Sequence, residues 1–352
     1  MCLLSKWGTT PVKAIVFYEQ GEIDKLVYQD HPDPEINFAE ILVKVGACAV
    51  NRLDLNARAY RPEIQVFPHI LGSDIAGEVV GIGSEVDTVA IGDRVVLSPN
   101  IPCKQCRDCL NGDENLCDHQ QLLGFQTHGG YAELVKAPAQ NAIGISEQLS
   151  YPNAAALPIA YLTAWHMLVT RAAIKSDDDI LILAAGSGVG SAGLQIAKLH
   201  GAKVFAASST DEKLDYAKKI GADFVINYRE TDFAEAVLEL TDGRGVDVVF
   251  EHVGAATWDQ SIASLAKNGR LVTCGATTGN IGEINIRKMY QKQITLLGSA
   301  LGTITELRTI VSLADQGKMS PIIDSILPLV NAQESHQIME KRENFGKICL
   351  IP

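Results

Sequence analysis

The feature that most constrains the fold is a glycine-rich turn between an apolar run and a helical segment, in DILILAAGSGVGSAGLQIAKLHG, residues 179–201. The run Ile180–Leu183 is continuously apolar, which is typical of a parallel strand buried on both faces. The tight turn that follows carries three glycines: Gly186, Gly188 and Gly190. The next segment is expected to be a helix that ends at His200, and its N-terminal amides suit a pyrophosphate. The stretch therefore predicts a strand–turn–helix unit that binds a dinucleotide.

The alternation of strand-like and helix-like segments continues beyond this unit. The segments are VFAAS, DEKLDYAKKIGA, DFVIN, DFAEAVLELT, VDVVFEHV, WDQSIASLAKNG, RLVTCGA and ITLLGSA. This pattern predicts a doubly wound parallel α/β sheet of about six strands. A glycine cluster alone is weak evidence for a cofactor, so a loop with only a packing role stays the alternative.

The end of the second predicted strand indicates which dinucleotide the chain prefers. An NAD site usually has Asp or Glu there to hold the ribose 2′-hydroxyl, whereas this chain has Ser208-Ser209-Thr210. No carboxylate repels a 2′-phosphate at that point, and Lys213 and Tyr228 are further candidates to bind it. We therefore expect NADP(H) rather than NAD(H). The pair Asp211-Glu212 argues the other way, but we assign it to the first turn of the next helix, where carboxylates suit the helix dipole.

Four cysteines lie close together in the N-terminal half, with the spacing C-x2-C-x2-C-x7-C: Cys103, Cys106, Cys109 and Cys117. Four thiolates satisfy the tetrahedral preference of Zn²⁺ and leave no position open for water or substrate. The spacing therefore predicts one structural zinc per chain. Two disulfides or free thiols are the alternative. The remaining cysteines are scattered along the chain: Cys2, Cys48, Cys274 and Cys349.

Composition excludes several classes of partner. The chain has 352 residues, 47% of them hydrophobic, which is enough for two domains. The net charge of −12 and the lack of a Lys/Arg block argue against nucleic-acid binding. No apolar run has the length of a membrane span, and the N-terminal stretch lacks the pattern of a signal peptide. We expect a cytoplasmic protein that acts on a small molecule.

Several further motifs carry a family resemblance: GSDIAGEVVGIG, GDRVV, GGYAE, AAALPIAYLTAW and FGKICL. With the cysteine loop and the dinucleotide motif, they resemble the medium-chain dehydrogenase/reductase superfamily from about residue 12 to the end. NRLDL, AAGSGVG and INYR resemble its quinone-reductase branch. The resemblance implies a GroES-like catalytic domain at 12–158 and 302–352, with the zinc loop at 101–118, and a Rossmann domain at 159–301. It also implies a homodimer or homotetramer paired through the strand in ITLLGSALG.

Relatives of the zinc alcohol dehydrogenase type hold a second, catalytic zinc, and this chain departs from their ligand pattern at all three positions. Asn51 stands where a C-x-x-D motif has Cys, Ser73 where a G-H-E motif has His, and Ile159 where a Cys or acid precedes a Thr-Ala pair. Such side chains suit Zn²⁺ badly. We expect the catalytic zinc to be absent. An atypical metal site built from Asp74 and its neighbours is the alternative.

The resemblance also implies roles for single residues. Asn51 would lie near the nicotinamide and donate to a substrate carbonyl, with Asp54 and Tyr60 as further catalytic candidates. With the residues already argued from the glycine turn and the second strand, the predicted cofactor contacts are Arg52, Thr163, Gly186, Ser187, Gly188, Val189, Gly190, Ser208, Ser209, Lys213, Tyr228, Val253 and Gly275. Asp54 has an alternative role, which is to orient Asn51.

Together these residues predict an NADPH-dependent oxidoreductase that transfers hydride to a quinone, an α,β-unsaturated carbonyl or an enoyl thioester. Without a Lewis acid, acceptors that delocalise the developing charge are favoured. Two alternatives remain open. One is an alcohol dehydrogenase or aldehyde reductase with an atypical metal site, and the other is a dinucleotide-binding protein with negligible turnover.

Overall fold

The structure is a computed structural model that describes residues 11–64 and 66–352. Its strands are β1 (Val12–Val16), β2 (Val27–His31), β3 (Glu40–Ala49), β4 (Asp74–Ile82), β5 (Arg94–Leu97), β6 (Asn100–Ile101), β7 (Gln121–Leu122), β8 (Leu134–Pro138), β9 (Ala142–Gly144), β10 (Asp179–Ile182), β11 (Lys203–Ser208), β12 (Phe224–Asn227), β13 (Val246–Glu251), β14 (Leu265–Thr273), β15 (Thr295–Gly298), β16 (Ile323–Pro328) and β17 (Lys347–Ile351).

The helices follow the same chain order. They are α1 (Arg52–Ala59), α2 (Arg107–Asn111), α3 (Tyr151–Ala155), α4 (Ala160–Trp165), α5 (Gly188–Leu199), α6 (Asp211–Lys219), α7 (Phe233–Leu240), α8 (Trp258–Ala263), α9 (Ile286–Lys292), α10 (Ile304–Asp315) and α11 (Ala332–Glu340). A π-helix at His166–Arg171 continues α4, and short 3₁₀ turns lie at Ile23–Lys25, Glu114–Leu116, Ala139–Asn141 and Leu329–Asn331. Among the described residues, no helix is both long and apolar enough to cross a bilayer.

One compact unit comprises Ala160–Gly302 and is built on a parallel sheet. Its strand order is β12-β11-β10-β13-β14-β15, and every neighbouring pair is parallel. All four residues of β10 are buried, as the apolar run in the sequence predicts for a central parallel strand. The six strands confirm the predicted doubly wound α/β fold class. β15 lies at one edge of the sheet, where the sequence places an edge strand.

The other unit comprises the described residues up to Ile159 together with Thr303–Pro352. Its main sheet has the order β16-β17-β3-β4-β5-β9, with β8 paired to β3. Apart from the parallel pair β16–β17, its neighbouring strands are antiparallel. The chain therefore returns to this unit after the parallel sheet and adds two strands from its C-terminal end. That the two units are a catalytic and a cofactor domain stays a prediction.

This β-rich unit has its own apolar core. The pairing of its strands brings a chain segment near residue 347 to segments near residues 51 and 74. Side chains of β3 and β4, such as Ile41, Val43 and Val79, are fully buried. β17 joins the sheet at the C-terminal end of β3, where Cys349 pairs with Ala49. The start of β4 pairs with the same residue, since Asp74 lies opposite Ala49. Three distant stretches of sequence therefore meet at one point of the sheet.

Candidate functional site

The glycine-rich turn between β10 and α5 has the geometry of an anion-binding helix start. Ser187 is the N-cap of α5, and its hydroxyl accepts a hydrogen bond from the Gly190 amide at 2.9 Å. A Cβ on Gly190 would lie 2.4 Å from the carbonyl oxygen of Ala184 and 2.9 Å from the Cα of Ala185. Only glycine fits there, because the first turn of the helix lies against the strand end. Gly186, Gly188 and Val189 belong to the same turn, and their amides lie at the positive end of the helix.

The residues predicted to select the cofactor come together at the carboxyl ends of β11 and β12. Ser208 is the buried last residue of β11 and lies beside Asn227 in the sheet. The Tyr228 amide donates to the Ser208 carbonyl at 3.1 Å. Thr210 is the N-cap of α6 and accepts from the Lys213 amide at 3.4 Å. Ser209 lies between Ser208 and Thr210 in the chain, so all five polar residues lie near the carboxyl ends of these two strands.

Asp211 and Glu212 lie in the first turn of α6, where the sequence interpretation placed them. They are the two acidic residues that would favour NAD(H) over NADP(H). The Asp211 carboxylate accepts a hydrogen bond from the Asn227 side-chain amide at 3.0 Å. The strand end itself therefore carries hydroxyls, and the nearest carboxylate has a protein donor.

Val253 and Gly275 follow the ends of β13 and β14, and a buried acid that the sequence interpretation missed organises this region. Glu251 is fully buried, and its carboxylate accepts hydrogen bonds from the Val253 and Gly254 amides and the Thr257 hydroxyl, at 2.7–3.2 Å. A Cβ on Gly275 would lie 2.8 Å from the carbonyl oxygen of His252, so the turns after β13 and β14 contact each other. An acid that ends the apolar run VDVVF was the sequence signal for this network.

The four clustered cysteines bring their sulfurs together in the arrangement that a zinc ion needs. The sulfurs of Cys103, Cys106, Cys109 and Cys117 all lie within 4.8 Å of one another. The Cys103 and Cys109 sulfurs are 3.9 Å apart. Zn–S bonds of about 2.3 Å place tetrahedral sulfurs about 3.8 Å apart, so the cluster fits zinc. Backbone amides of the same loop donate to three of the sulfurs at 3.4–3.5 Å, which stabilises thiolates.

The scattered cysteines have the properties of buried thiols rather than ligands. Burial raises the pKa of Cys48 well above its ordinary value and the pKa of Cys274 and Cys349 to about 12. Cys2 lies outside the described residues. Among the residues that the structure describes, the four-cysteine loop is the only group of His, Cys, Asp and Glu placed to hold a metal.

Asn51, which the resemblance aligns with a ligand of a catalytic zinc, belongs to a buried ionic network around Lys347. The Lys347 ammonium donates to the side-chain oxygen of Asn51 at 2.6 Å, to the Asp74 carboxylate at 2.8 Å and to the Val50 carbonyl at 2.9 Å. Lys347 and Asp74 have side chains that are 3% and 0% exposed. The ammonium has three hydrogens, and each has an acceptor. Lys347 is a site residue that the sequence interpretation quoted only as part of a motif.

The amide of Asn51 is locked in one orientation by this network. Because an ammonium can only donate, the Asn51 atom that faces it is the oxygen. The amide nitrogen then donates to Asp74 at 2.9 Å and to the Ala49 carbonyl at 3.3 Å. Both amide hydrogens therefore have protein acceptors, and in this arrangement neither is free for a substrate carbonyl. The donor role assigned to Asn51 stays a prediction that requires this amide to turn.

The other two replaced ligand positions are also committed to protein partners. The Ser73 hydroxyl donates to the Leu123 carbonyl at 2.6 Å, and the Ile159 amide donates to the second oxygen of Asp74 at 2.7 Å. Asp74, the residue on which an atypical metal site depends, thus has donors on both carboxylate oxygens. The polar atoms at this point of the fold satisfy one another.

Asp54 lies beside this network and holds its backbone in place. Its carboxylate accepts hydrogen bonds from the backbone N–H of Asn51 at 2.7 Å and from the backbone N–H of Gly72 at 3.2 Å. Burial raises the pKa of Asp54 from 3.8 to about 7, and these two donors act in the opposite direction. The contact with Asn51 agrees with the orienting role that the sequence left open.

Three further predicted residues are Tyr60, Arg52 and Thr163. Tyr60 follows the last turn of α1 and is 75% exposed, and α1 separates it from Asn51 by about 13 Å of helix rise. The Arg52 guanidinium donates to the Met339 carbonyl at 3.0 Å, and burial lowers its pKa. Thr163 is buried in α4 of the other unit. Their assigned roles remain predictions.

Comparisons with known proteins agree with this architecture. A family model described as a zinc-binding dehydrogenase matches residues 188–316, and one described as an alcohol dehydrogenase GroES-like domain matches residues 38–147. An NAD-dependent alcohol dehydrogenase of Sulfolobus acidocaldarius is 30% identical over 347 residues, which covers 96% of this chain and 99% of that protein. The family model that matches residues 38–147 confirms the expected GroES-like domain.

Two further relatives bear on the reaction. A crystal structure of an NAD-dependent alcohol dehydrogenase superposes with a TM-score of 0.93 at 38% identity, covering 97% of this chain and 99% of that one. An acryloyl-coenzyme A reductase of Sulfurisphaera tokodaii is 26% identical over 343 residues, covering 97% of this chain and 100% of that protein. Proteins similar to this chain therefore include both alcohol dehydrogenases and a reductase of an enoyl thioester.

Proposed function

This chain belongs to the medium-chain dehydrogenase/reductase superfamily, and we propose that it reduces a quinone, an α,β-unsaturated carbonyl or an enoyl thioester with NADPH and without a catalytic metal. The observation that carries the proposal is the composition of the former zinc site. Asn51, Ser73 and Ile159 replace the three ligands, and their polar atoms already have protein partners.

The choice of acceptor follows from where charge develops during hydride transfer. A saturated ketone acquires a full alkoxide charge, and a Lewis acid stabilises that charge by several kcal/mol. Hydride addition to a conjugated acceptor spreads the charge into an enolate or a quinol. The donors near Asn51 are engaged with Asp74 and Ala49, so little stabilisation is left for a localised oxyanion. A conjugated acceptor needs less stabilisation of its oxygen than a saturated ketone does.

The chain's own residues have two tasks in this scheme. The turn Gly186–Gly190 at the start of α5 binds the cofactor pyrophosphate, and hydride transfer is the chemistry that the nicotinamide supplies when bound. The network of Asn51, Asp74 and Lys347 keeps the former metal position rigid and closed to cations. The acryloyl-coenzyme A reductase among the relatives supports a conjugated acceptor.

NADP(H) is part of the proposal because of the end of β11. The hydroxyls of Ser208, Ser209 and Thr210 stand where an NAD site has a carboxylate. The relatives named NAD-dependent make NAD(H) the competing choice. We expect the dissociation constant for NADPH to be lower than that for NADH, measured by titration of the protein fluorescence. A lower constant for NADH would assign the chain to NAD.

The acceptor is tested with a matched pair of substrates. With 2-cyclohexenone and cyclohexanone, which share one ring, kcat/KM is expected to favour the enone by at least about 100-fold, the value of one missing oxyanion donor. A short enoyl thioester and a benzoquinone extend the series. Faster turnover of cyclohexanone would favour the alternative, an alcohol dehydrogenase with an atypical metal site. NADPH binding without turnover of any acceptor would favour a dinucleotide-binding protein.

A further inference from the structure

A chain of four buried side chains connects α11 to the carboxylate of Asp54. Its members are Arg58, His336, Tyr131 and Asp54, each at most 3% exposed. The Arg58 Nη1 lies 3.3 Å from Nδ1 of His336, and the His336 Nε2 lies 3.2 Å from the Tyr131 hydroxyl. Tyr131 and Asp54 both contact Gly72, and the charge of Asp54 contributes to the raised pKa of Tyr131, so the Tyr131 hydroxyl faces this carboxylate. Three separate parts of the sequence contribute to this chain, which ends beside Asn51.

The direction of every hydrogen bond in this chain is set from its outer end. A guanidinium can only donate, so Nδ1 of His336 accepts from Arg58. Burial and the positive charge of Arg58 lower the pKa of His336 to about 3, so the ring is neutral and its Nε2 carries the hydrogen. Nε2 therefore donates to the Tyr131 oxygen, and the Tyr131 hydrogen is left to donate to Asp54.

The outer end is itself fixed. Arg58 Nη2 donates to the Glu340 carboxylate at 2.6 Å, and Nε donates to the Gly21 carbonyl at 3.2 Å. At the inner end, the Tyr131 ring packs on Gly72, where a Cβ would lie 2.6 Å from the ring. The same Gly72 gives its amide to Asp54. Through Asp54, this series of side chains is linked to the backbone of Asn51, a member of the network around Lys347, and of Gly72, which precedes Asp74.

We propose that Arg58, His336 and Tyr131 are positioning residues that act through Asp54: their one-way hydrogen-bond chain supplies the Asp54 carboxylate with a third donor and keeps it an acceptor for the amides of Asn51 and Gly72. An ionised Asp54 then holds the start of α1 and the segment that leads to Asp74 in one arrangement. The functional part of this inference rests on the proposed reaction, because it assumes that the acceptor binds at Asn51.

The charge state of Asp54 also depends on its other neighbours. The titratable groups that interact with it are Cys48 on β3, Asp74 on β4, Tyr131 before β8 and Lys347 on β17. His336 and Arg58 follow behind Tyr131. Asp74 raises the pKa of Asp54 and Lys347 lowers it. A hydroxyl that donates to the carboxylate stabilises the ionised form, so removing that hydroxyl is expected to raise the pKa further.

The first test reads the direction of the chain without any turnover. In protein labelled with ¹⁵N-histidine, the two ring-nitrogen shifts of His336 report its tautomer, and the signal is assigned by its loss in His336→Gln. We expect a neutral ring with the hydrogen on Nε2 from pH 5 to pH 8. A hydrogen on Nδ1, or a ring that becomes charged in this range, would overturn the proposal.

The second test removes one hydroxyl. Tyr131→Phe is expected to raise the pH midpoint of kcat/KM by about one unit, since a hydrogen bond to a charged group is lost. The dissociation constant for NADPH should not change. Tyr161→Phe is the matched control, because Tyr161 is also fully buried and its hydroxyl accepts from Gln195 in the other unit. That variant should leave the midpoint where it is.

The outcomes separate the two claims. An unchanged midpoint in Tyr131→Phe, or an equal shift in Tyr161→Phe, would overturn the positioning role. His336→Gln, which keeps one donor and one acceptor, is expected to shift the midpoint less than Tyr131→Phe. If no acceptor is turned over at all, the proposed reaction fails, while the tautomer of His336 still decides whether the chain runs as described.

Discussion

Lys347 is a charged side chain at the first position of the otherwise apolar strand β17, KICLI. Its ammonium is enclosed by the Asp74 carboxylate, the Asn51 amide oxygen and a backbone carbonyl. A buried ion pair of this kind has a desolvation cost close to its Coulomb gain, but removing one partner leaves an uncompensated charge. Loss of one of these three residues is therefore expected to destabilise the other two. The two predictions at this scale concern the charges of Lys347 and Asp54.

Lys347→Met leaves the fully buried Asp74 carboxylate without its counter-ion. We expect the free energy of unfolding of the β-rich unit to fall by about 3–5 kcal/mol, measured by urea denaturation. The control is Lys203→Met, whose partner is Asp179 and whose side chain is 55% exposed. Its loss should cost less than about 1 kcal/mol. Equal effects of the two substitutions would show that Asp74 is not held by Lys347 as described.

Asp54 makes stability depend on pH in an unusual direction for a carboxylate. Its pKa is about 7 in the folded chain and 3.8 as a reference, so between these values the folded state binds the extra proton. The contribution of Asp54 to stability is therefore present at low pH and is lost as pH rises from about 4 to about 7, by at most about 1.4 kcal/mol per unit.

Asp54→Asn removes this titration. The difference in unfolding free energy between the parent chain and the variant should decrease as pH rises from 4.5 to 6.5. Taking the difference cancels the titration of all other carboxylates. A difference that is constant, or that grows with pH, would contradict the raised pKa.

At the scale of single elements, the start of α5 depends on the absence of one side chain. A Cβ on Gly190 would lie 2.4 Å from a backbone oxygen of the preceding turn, which no side-chain movement relieves. Gly190→Ala is expected to weaken NADPH binding by tenfold or more, measured by fluorescence titration, because the helix must move away from the turn. Gly298→Ala is the control in the same unit, since a Cβ there meets nothing within 4 Å. Equal affinities would argue against the turn as the pyrophosphate site.

The elements of the parallel unit could be predicted because their signals are local. The apolar run before Gly186 and the alternation after it gave the six strands and the edge position of β15 without any long-range information. The cysteine loop is local as well, with four ligands in one short segment. The GroES-like fold of the β-rich unit was predicted only through the resemblance, and its strand order was not predicted, because short antiparallel strands such as β5 and β9 carry little periodicity.

The network around Lys347 could not be predicted from the sequence for the opposite reason. Asn51, Asp74 and Lys347 meet only because β3, β4 and β17 are neighbours in one sheet, and the hydrogen bond from Lys347 to Asn51 spans 296 residues. Ligand-by-ligand comparison showed that the metal ligands were missing, but it could not show that an ammonium binds the residues that remain. Tyr60 illustrates the converse, since a suitable phenol near Asn51 in sequence lies at the exposed far end of α1.

At the scale of the whole molecule, the described residues contain one group placed to hold a metal, which is the four-cysteine loop. The residues that the resemblance aligns with a second, catalytic zinc belong to a closed network of protein hydrogen bonds instead. The central claim is that hydride transfer needs no catalytic metal and that the chain holds zinc only in the four-cysteine loop.

The most direct test of this claim is zinc per chain, measured by elemental analysis on protein purified without added metal. We expect a value of about one, because four thiolates bind one zinc tightly. Cys106→Ser should lower that value towards zero, and Cys274→Ser should leave it unchanged. A value of two in the parent chain, of which one remains in Cys106→Ser, would mean that the network around Lys347 opens to hold a metal, and the account of the reaction would be wrong.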